Sequence, residues 1–302
     1  AFVTVARPRH PDVGEAQVSD QMTQRLRALA ATATAGLLVP LVGAIPVGAA
    51  PSATAGDHYV SFGDSFVSGP GILPLRPGDC HRSLKNFPTL TSQEVETASF
   101  TDASCGAEEL DHLWEAQGTN PPQLDALSAD TSLVTFGTLG GNDIGLVQLA
   151  TSCFTSDCTP DANDPYPGRI DALKPEILQG LADTKARAPQ AEIYVVGYSH
   201  YIPPTSCQAV ASITPDEAVY FQGLVDRLSG VLESAADEAG ATFIDMNAIP
   251  GVTEHTVCAE PARQWVRALN TYGDGAPLHP STCGMAAYAQ QVTRGIQLAR
   301  GQ

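Results

Sequence analysis

HYVSFGDSFVSGPGI, residues 58–72, sets a short apolar run, Tyr59 to Phe62, directly against Gly63-Asp64-Ser65. A loop holding Gly69, Pro70 and Gly71 follows. An apolar run bounded by turn residues reads as a buried strand. Ending it on a small hydroxyl residue places that hydroxyl at the carboxyl edge of a sheet, where open parallel sheets build their sites. Asp64 reads as a brace for the turn, and the glycines leave room for a substrate.

Working outward, Phe87 to Val95 reads as a helix and Thr97 to Phe100 as a short strand. Ala107 to Gln117 has Leu110, Leu113 and Trp114 on one helical face. Ser132 to Phe136 is continuously apolar, as in a strand covered on both sides, and ends at Gly137-Thr138-Leu139-Gly140-Gly141-Asn142-Asp143, which opens a helix. Cys153 to Gly168 is an irregular excursion, Arg169 to Ala188 a helix and Glu192 to Val196 a strand. Thr214-Pro215-Asp216-Glu217 combines a cap residue, a proline at the first helical position and an acid at the third, opening a helix to about Ala239. Ala241 to Met246 is the last strand and Met285 to Leu298 a closing amphipathic helix. Strands alternating with helices imply an α/β protein with a mostly parallel, doubly covered sheet. Residues 56–302 are expected to form one domain.

The preceding residues read differently. Met22 to Arg27 is short and basic, Ala28 to Val47 is small and apolar, and the small residues Val47-Gly48-Ala49 or Ala53-Thr54-Ala55 suit a signal peptidase. That order describes a secretory signal over 22–55, in preference to a membrane-spanning helix broken by Pro40 and Pro46. Residues 1–21 precede Met22 and read as an upstream extension outside the native chain. Residues 56–302 hold 12 basic against 30 acidic side chains, a formal charge of −18. Such a surface repels phosphate backbones, so nucleic acid is excluded as a partner. All seven cysteines lie in this part, where export makes disulfides the default. No C-x-x-C occurs, and neither a metal nor another cofactor is expected.

A serine hydroxyl is a poor nucleophile until a base takes its proton, and His279 in Leu278-His279-Pro280 is the candidate base for Ser65. Attack on an ester creates an oxyanion, for which the N–H groups of Ser65 and Gly106 and the amide of Asn142 are candidate donors. Taken singly, Ser65 also reads as a helix cap, Asn142 as a turn residue, Gly106 as a cap and His279 as a loop histidine. Their joint occurrence in this order favours a site.

Gly63-Asp64-Ser65-Phe66, Gly106, Gly140-Gly141-Asn142-Asp143 and His279-Pro280 resemble the four blocks of the SGNH (GDSL) hydrolase superfamily. Ser104-Cys105-Gly106, His112-Leu113-Trp114-Glu115 and Pro121-Pro122-Gln123 resemble its secreted actinobacterial esterases and lipases, the Streptomyces scabies esterase type. The resemblance implies a single-domain, three-layer α/β/α sandwich with a mostly parallel five-stranded, flavodoxin-like sheet. It implies carboxylic ester hydrolysis through an acyl-serine, with Ser65 as nucleophile, His279 as base and Ser65, Gly106 and Asn142 as oxyanion hole. Most members carry an aspartate three residues before the histidine. Here that position is Ala276, and the backbone carbonyl of Ala276 is expected to orient the imidazole, with Asp274 as the alternative. The resemblance further implies disulfides Cys80–Cys105, Cys153–Cys158 and Cys207–Cys258, leaving Cys283 free.

Gly197-Tyr198-Ser199-His200-Tyr201, with Asp245 and His279, offers a rival nucleophile elbow, but Tyr201 stands where that turn needs glycine and Pro203-Pro204 interrupts the following helix. Phe66, Ile72, Leu73, Leu75, Leu139 and Leu278 are candidate liners of an acyl groove. The expected protein is a secreted monomer acting on ester or lipid substrates without a stable membrane anchor. Phospholipase A-type or sugar-acetyl ester hydrolysis, and a catalytically silent binding module, are the alternative functions.

Overall fold

In the computed structural model, which describes residues 56–205 and 207–302, five parallel strands form one sheet in the order β2-β1-β3-β4-β5. The strands are β1 (His58–Phe62), β2 (Ser99–Asp102), β3 (Leu133–Phe136), β4 (Glu192–Val196) and β5 (Thr242–Ile244). The expected leader and the upstream extension lie outside the described residues. Parallel neighbours need crossover connections, and helices supply most of them.

Alternation along each strand feeds two cores. Val60, Phe62, Val134, Phe136 and Val195 face one layer, built from α3 (Leu146–Thr155), α4 (Tyr166–Ala172), α5 (Lys174–Arg187) and α6 (Pro215–Ala239). Tyr59, Leu133, Tyr194, Val196 and Ile244 face the other, where α2 (Phe87–Glu94) packs against α7 (Thr282–Ala299). The sandwich therefore has three layers. The remaining helix, α1 (Ser65–Ser68), is a single buried turn at the end of β1. None of the described helices is long and apolar enough to cross a membrane.

The helix expected over Ala107–Gln117 is absent. Only a 3-10 turn, Leu110–Leu113, forms there. Ala107 sits in the left-handed region (φ 59°), and the N–H groups of Glu109 and Leu110 donate to side chains, His112 Nδ1 and Asp143 Oδ1, rather than into a helix. The helix expected over Arg169–Ala188 divides at Leu173, because Pro175 has no N–H and its ring clashes with the preceding turn. The α6 start follows the sequence reading closely: Thr214 Oγ1 accepts the Glu217 N–H, and the Glu217 carboxylate accepts the Thr214 N–H in return.

Candidate active site

The turn after β1 has little freedom. Gly63 has φ 141°, and a Cβ there would lie 2.1 Å from Val67 Cγ2, so no other residue fits. The Gln123 side chain clamps it, with Oε1 accepting the Gly63 N–H at 2.9 Å and Nε2 donating to the Gly63 carbonyl at 3.0 Å. Asp64 then caps α1: Oδ1 accepts the Phe66 N–H and the Thr138 hydroxyl, both at 2.8 Å. Its Oδ2 accepts the Tyr198 hydroxyl at 2.6 Å, and that hydroxyl accepts the Gly141 N–H at 3.1 Å. Burial pushes the Asp64 carboxyl up to about 6, against the pull of these donors. Asp64 thus ties Ser65 to the Gly140-Gly141-Asn142 loop. It braces, as its position suggested.

Ser65 is buried, and its Oγ lies 2.7 Å from His279 Nε2. The two residues are 214 positions apart in the chain. The imidazole stacks on Phe66, ring centroids 4.9 Å apart. Its Nδ1 lies 2.7 Å from the Pro277 carbonyl, which corrects the expectation for Ala276. The Ala276 carbonyl instead accepts the backbone N–H of His279, and Leu278 in the left-handed region (φ 65°) turns the chain so that residue 277 faces the ring. Burial pushes His279 below the ordinary imidazole range, and the Pro277 carbonyl works in the opposite direction. Asp274 does not reach the ring: it bonds to Arg267 Nη2 (2.8 Å) and Thr282 Oγ1 (2.6 Å).

The expected anion donors divide. The Ser65 N–H has no protein acceptor among the described residues. Asn142 Nδ2 donates one hydrogen to the Glu108 carbonyl at 2.7 Å, which fixes the amide and leaves its second hydrogen. The Gly106 N–H is already donated to the Cys80 carbonyl at 3.0 Å, because the Cys80–Cys105 disulfide holds the two segments together. A Cβ at Gly106 would meet only ordinary contacts at 3.6 Å, so the fold itself does not require glycine there. Cys153–Cys158 and Cys207–Cys258 are also bonded, and Cys283 is unpaired and exposed. Each closure stabilises such a fold by about 2–4 kcal/mol.

The rival elbow does not assemble. Ser199 is buried with no full hydrogen bond on its hydroxyl among the described residues, and Asp245 caps the turn at Asn247. Tyr198, from the same stretch, is nonetheless the link between Asp64 and Gly141. The sequence shows Gln123 and Tyr198 only inside motifs and assigns them no role, and Pro277 does not stand out, since the partners of a hydroxyl, an amide and a carbonyl recruited from distant segments carry no local pattern. Of the groove candidates, Phe66 and Leu278 line a small apolar slot with Leu146, Ala150, Phe154 and Phe221, with a cavity volume of about 20 Å³. Ile72 and Leu139 are instead packed into the two cores, Leu73 is exposed, and Leu75 forms an isolated bridge with Ser83. No grouping of His, Cys, Asp and Glu among the described residues suits a metal ion.

Residues 61–287 match the model of the GDSL-like Lipase/Acylhydrolase family. Lipase 2 of Streptomyces coelicolor is 30% identical over 89% of this chain and 96% of its own length. The esterase of Streptomyces scabiei is 29% identical over 90% of this chain and 94% of its own. Among solved structures, phospholipase A1 from Streptomyces albidoflavus NA297 superposes with a TM-score of 0.65 at 26% identity, covering 80% of this chain and 99% of that one. The chain belongs to the GDSL-like Lipase/Acylhydrolase family, the family of serine ester hydrolases that its four sequence blocks resemble.

Proposed function

We propose that this protein is a secreted carboxylic ester hydrolase in which Ser65 is the nucleophile and His279 the general base. The contact between Ser65 Oγ and His279 Nε2 at 2.7 Å is the observation that carries this reading. With Nδ1–H held on the Pro277 carbonyl, Nε2 is the free lone pair, aimed at the serine proton. The Ser65 oxygen attacks the ester carbonyl as Nε2 takes its proton. The same proton then passes to the departing alcohol, leaving an acyl-serine that water hydrolyses by the reverse path. A carbonyl orients the ring without a full negative charge, so the imidazolium is supported by the Pro277 carbonyl dipole against the burial that disfavours its charge.

The oxyanion is received by the Ser65 N–H and the second hydrogen of the Asn142 amide. Gly106 joins them only if its N–H leaves the Cys80 carbonyl. Removing one aimed donor typically costs about 10²–10³ in kcat, so Asn142→Ala is expected to lower kcat by that factor with a smaller change in KM, measured on a p-nitrophenyl ester. The acyl chain enters the slot beside Phe66 and Leu278. Each methylene buried there contributes about 0.8 kcal/mol until the slot is full, which favours short to medium chains. Phospholipase A-type activity is the second reading, favoured by this apolar slot and by the similarity to phospholipase A1. Three disulfides in one domain support an oxidising, extracellular setting.

One experiment tests the assignment. A fluorophosphonate should label the protein once, at the peptide holding Ser65, and abolish turnover of a p-nitrophenyl ester series and of phosphatidylcholine vesicles assayed beside it. A folded protein that resists labelling would point to a silent binding module.

A further inference from the structure

The residue whose main-chain carbonyl holds the Asn142 amide carries a buried carboxylic acid. Glu108 is completely buried, and neither of its carboxyl oxygens meets a donor among the described residues. The main-chain carbonyl of the same residue accepts the Asn142 amide at 2.7 Å. The groups that face it are acidic: Asp64 from the turn after β1 and Asp143 from the loop after β3. Glu109 and Asp111 on the adjoining turn, and Glu176 on α5, add negative charge around Asp143, whose Oδ2 is also buried without a partner. Gln123 approaches as well: Gly63 takes its Oε1 and one Nε2 hydrogen, and the second Nε2 hydrogen lies near the Glu108 carboxyl without closing a full hydrogen bond. Among the described residues no arginine, lysine or histidine forms an ion pair with Glu108, Asp64 or Asp143.

Asp64, with three donors on its oxygens, tolerates burial. Glu108 has none. A carboxylate there would lack a cation and any full hydrogen bond among the described residues, and a buried unpaired charge takes up a proton instead. Burial first, then repulsion from Asp64 and Asp143, holds Glu108 well above the usual carboxyl range.

We propose that Glu108 is a positioning residue that serves as the uncharged acid, and that release of its proton sets the alkaline limit of the reaction. The inference rests on Asn142 acting as an oxyanion donor. When Glu108 gives its proton to solvent, a negative charge appears within reach of Asp64 and Asp143, the neighbours of Ser65 and Asn142, and it opposes the developing oxyanion. The new carboxylate is also driven toward water, which loosens the segment whose carbonyl fixes Asn142. Both effects are reversible and need no co-reactant.

The test compares the full-length protein with Glu108→Gln, which is neutral at every pH. With p-nitrophenyl butyrate followed from acid to alkaline pH, the alkaline fall of kcat/KM should move upward in the variant, raising the variant-to-parent ratio about tenfold on the alkaline side. Thermal unfolding gives an independent readout. A carboxyl whose folded pKa is raised binds a proton on folding, so the parent loses stability relative to the variant as pH rises. A role in packing alone would move neither pH profile, and coincident profiles in both assays overturn the proposal. Should the variant fail to fold, the infrared spectrum of the parent at neutral pH should retain a protonated-carboxyl band, and its absence overturns the proposal equally. Full turnover in Ser65→Ala removes the reading beneath the inference. It is distinct from failure here, in which Ser65→Ala keeps only the residual hydrolysis sustained by the donors and the Glu108→Gln profiles coincide with the parent's.

Discussion

Ser65→Ala is expected to lower kcat for p-nitrophenyl esters by about 10⁴-fold or more while leaving the protein folded. Without Oγ no acyl-serine forms, and hydrolysis falls back on water attacking a carbonyl polarised by the Ser65 N–H and Asn142. That residue of catalysis, about 10³–10⁴ over water, is what donors and binding alone sustain. The fold should survive because Ser65 Oγ bonds only to His279 Nε2, whereas the cap on α1 comes from Asp64. Circular dichroism and thermal unfolding check that half of the expectation. Ser199→Ala provides the contrast: among the described residues its hydroxyl makes no full hydrogen bond, and the His279 imidazole is bonded to Ser65 instead, so turnover should persist. The reverse pattern, with Ser65→Ala fully active, would return the rival elbow to consideration and discard the site described above.

What the sequence made legible is what short-range physics writes into it. The β1–Ser65 junction, the Thr214 capping box and the two-sided apolar run at β3 are local signals, and each falls where its pattern placed it within a residue or two. The 3-10 turn at Leu110–Leu113 was not legible, because the groups that divert its N–H donors include Asp143, 33 positions away. The same holds within the site. Ser65, Asn142 and His279 stand out by residue type and order, while Gln123, Tyr198 and Glu108 act through contacts that link strand ends separated by 34 to 134 positions. The orienting carbonyl shows a finer limit. Any residue can present one, so only the left-handed Leu278 decides that residue 277 rather than 276 meets the ring.

His279→Ala and Asp274→Asn should separate the base from the carboxylate that most resembles its partner. Loss of the imidazole removes proton transfer from both halves of the reaction, and kcat is expected to fall by about 10⁴-fold or more. Asp274→Asn should cost less than about tenfold, since Asp274 touches Arg267 and Thr282 but not the ring. Its work is mechanical. Arg267, itself buried, bonds to the Asp274 side chain and main chain, and its own N–H donates to the His279 carbonyl at 2.9 Å. Burial works against the Asp274 charge, but Thr282 and Arg267 hold its carboxyl below the usual range. A depressed acid contributes stability above its unfolded pKa and loses it as pH falls, so Asp274→Asn should lower the melting temperature at neutral pH and matter less in acid. With Asp274 a third exposed, about 1–2 kcal/mol is a reasonable scale for that loss. The pH profile completes the separation. His279 is pushed down by burial and receives no charge from Asp274, so the acid limb of kcat/KM should lie below about 6.5 and stay there in Asp274→Asn. A thousandfold loss in that variant, or an acid limb displaced by it, would mean that the carboxylate reaches the imidazole during turnover and that the Pro277 carbonyl is not the group that orients it.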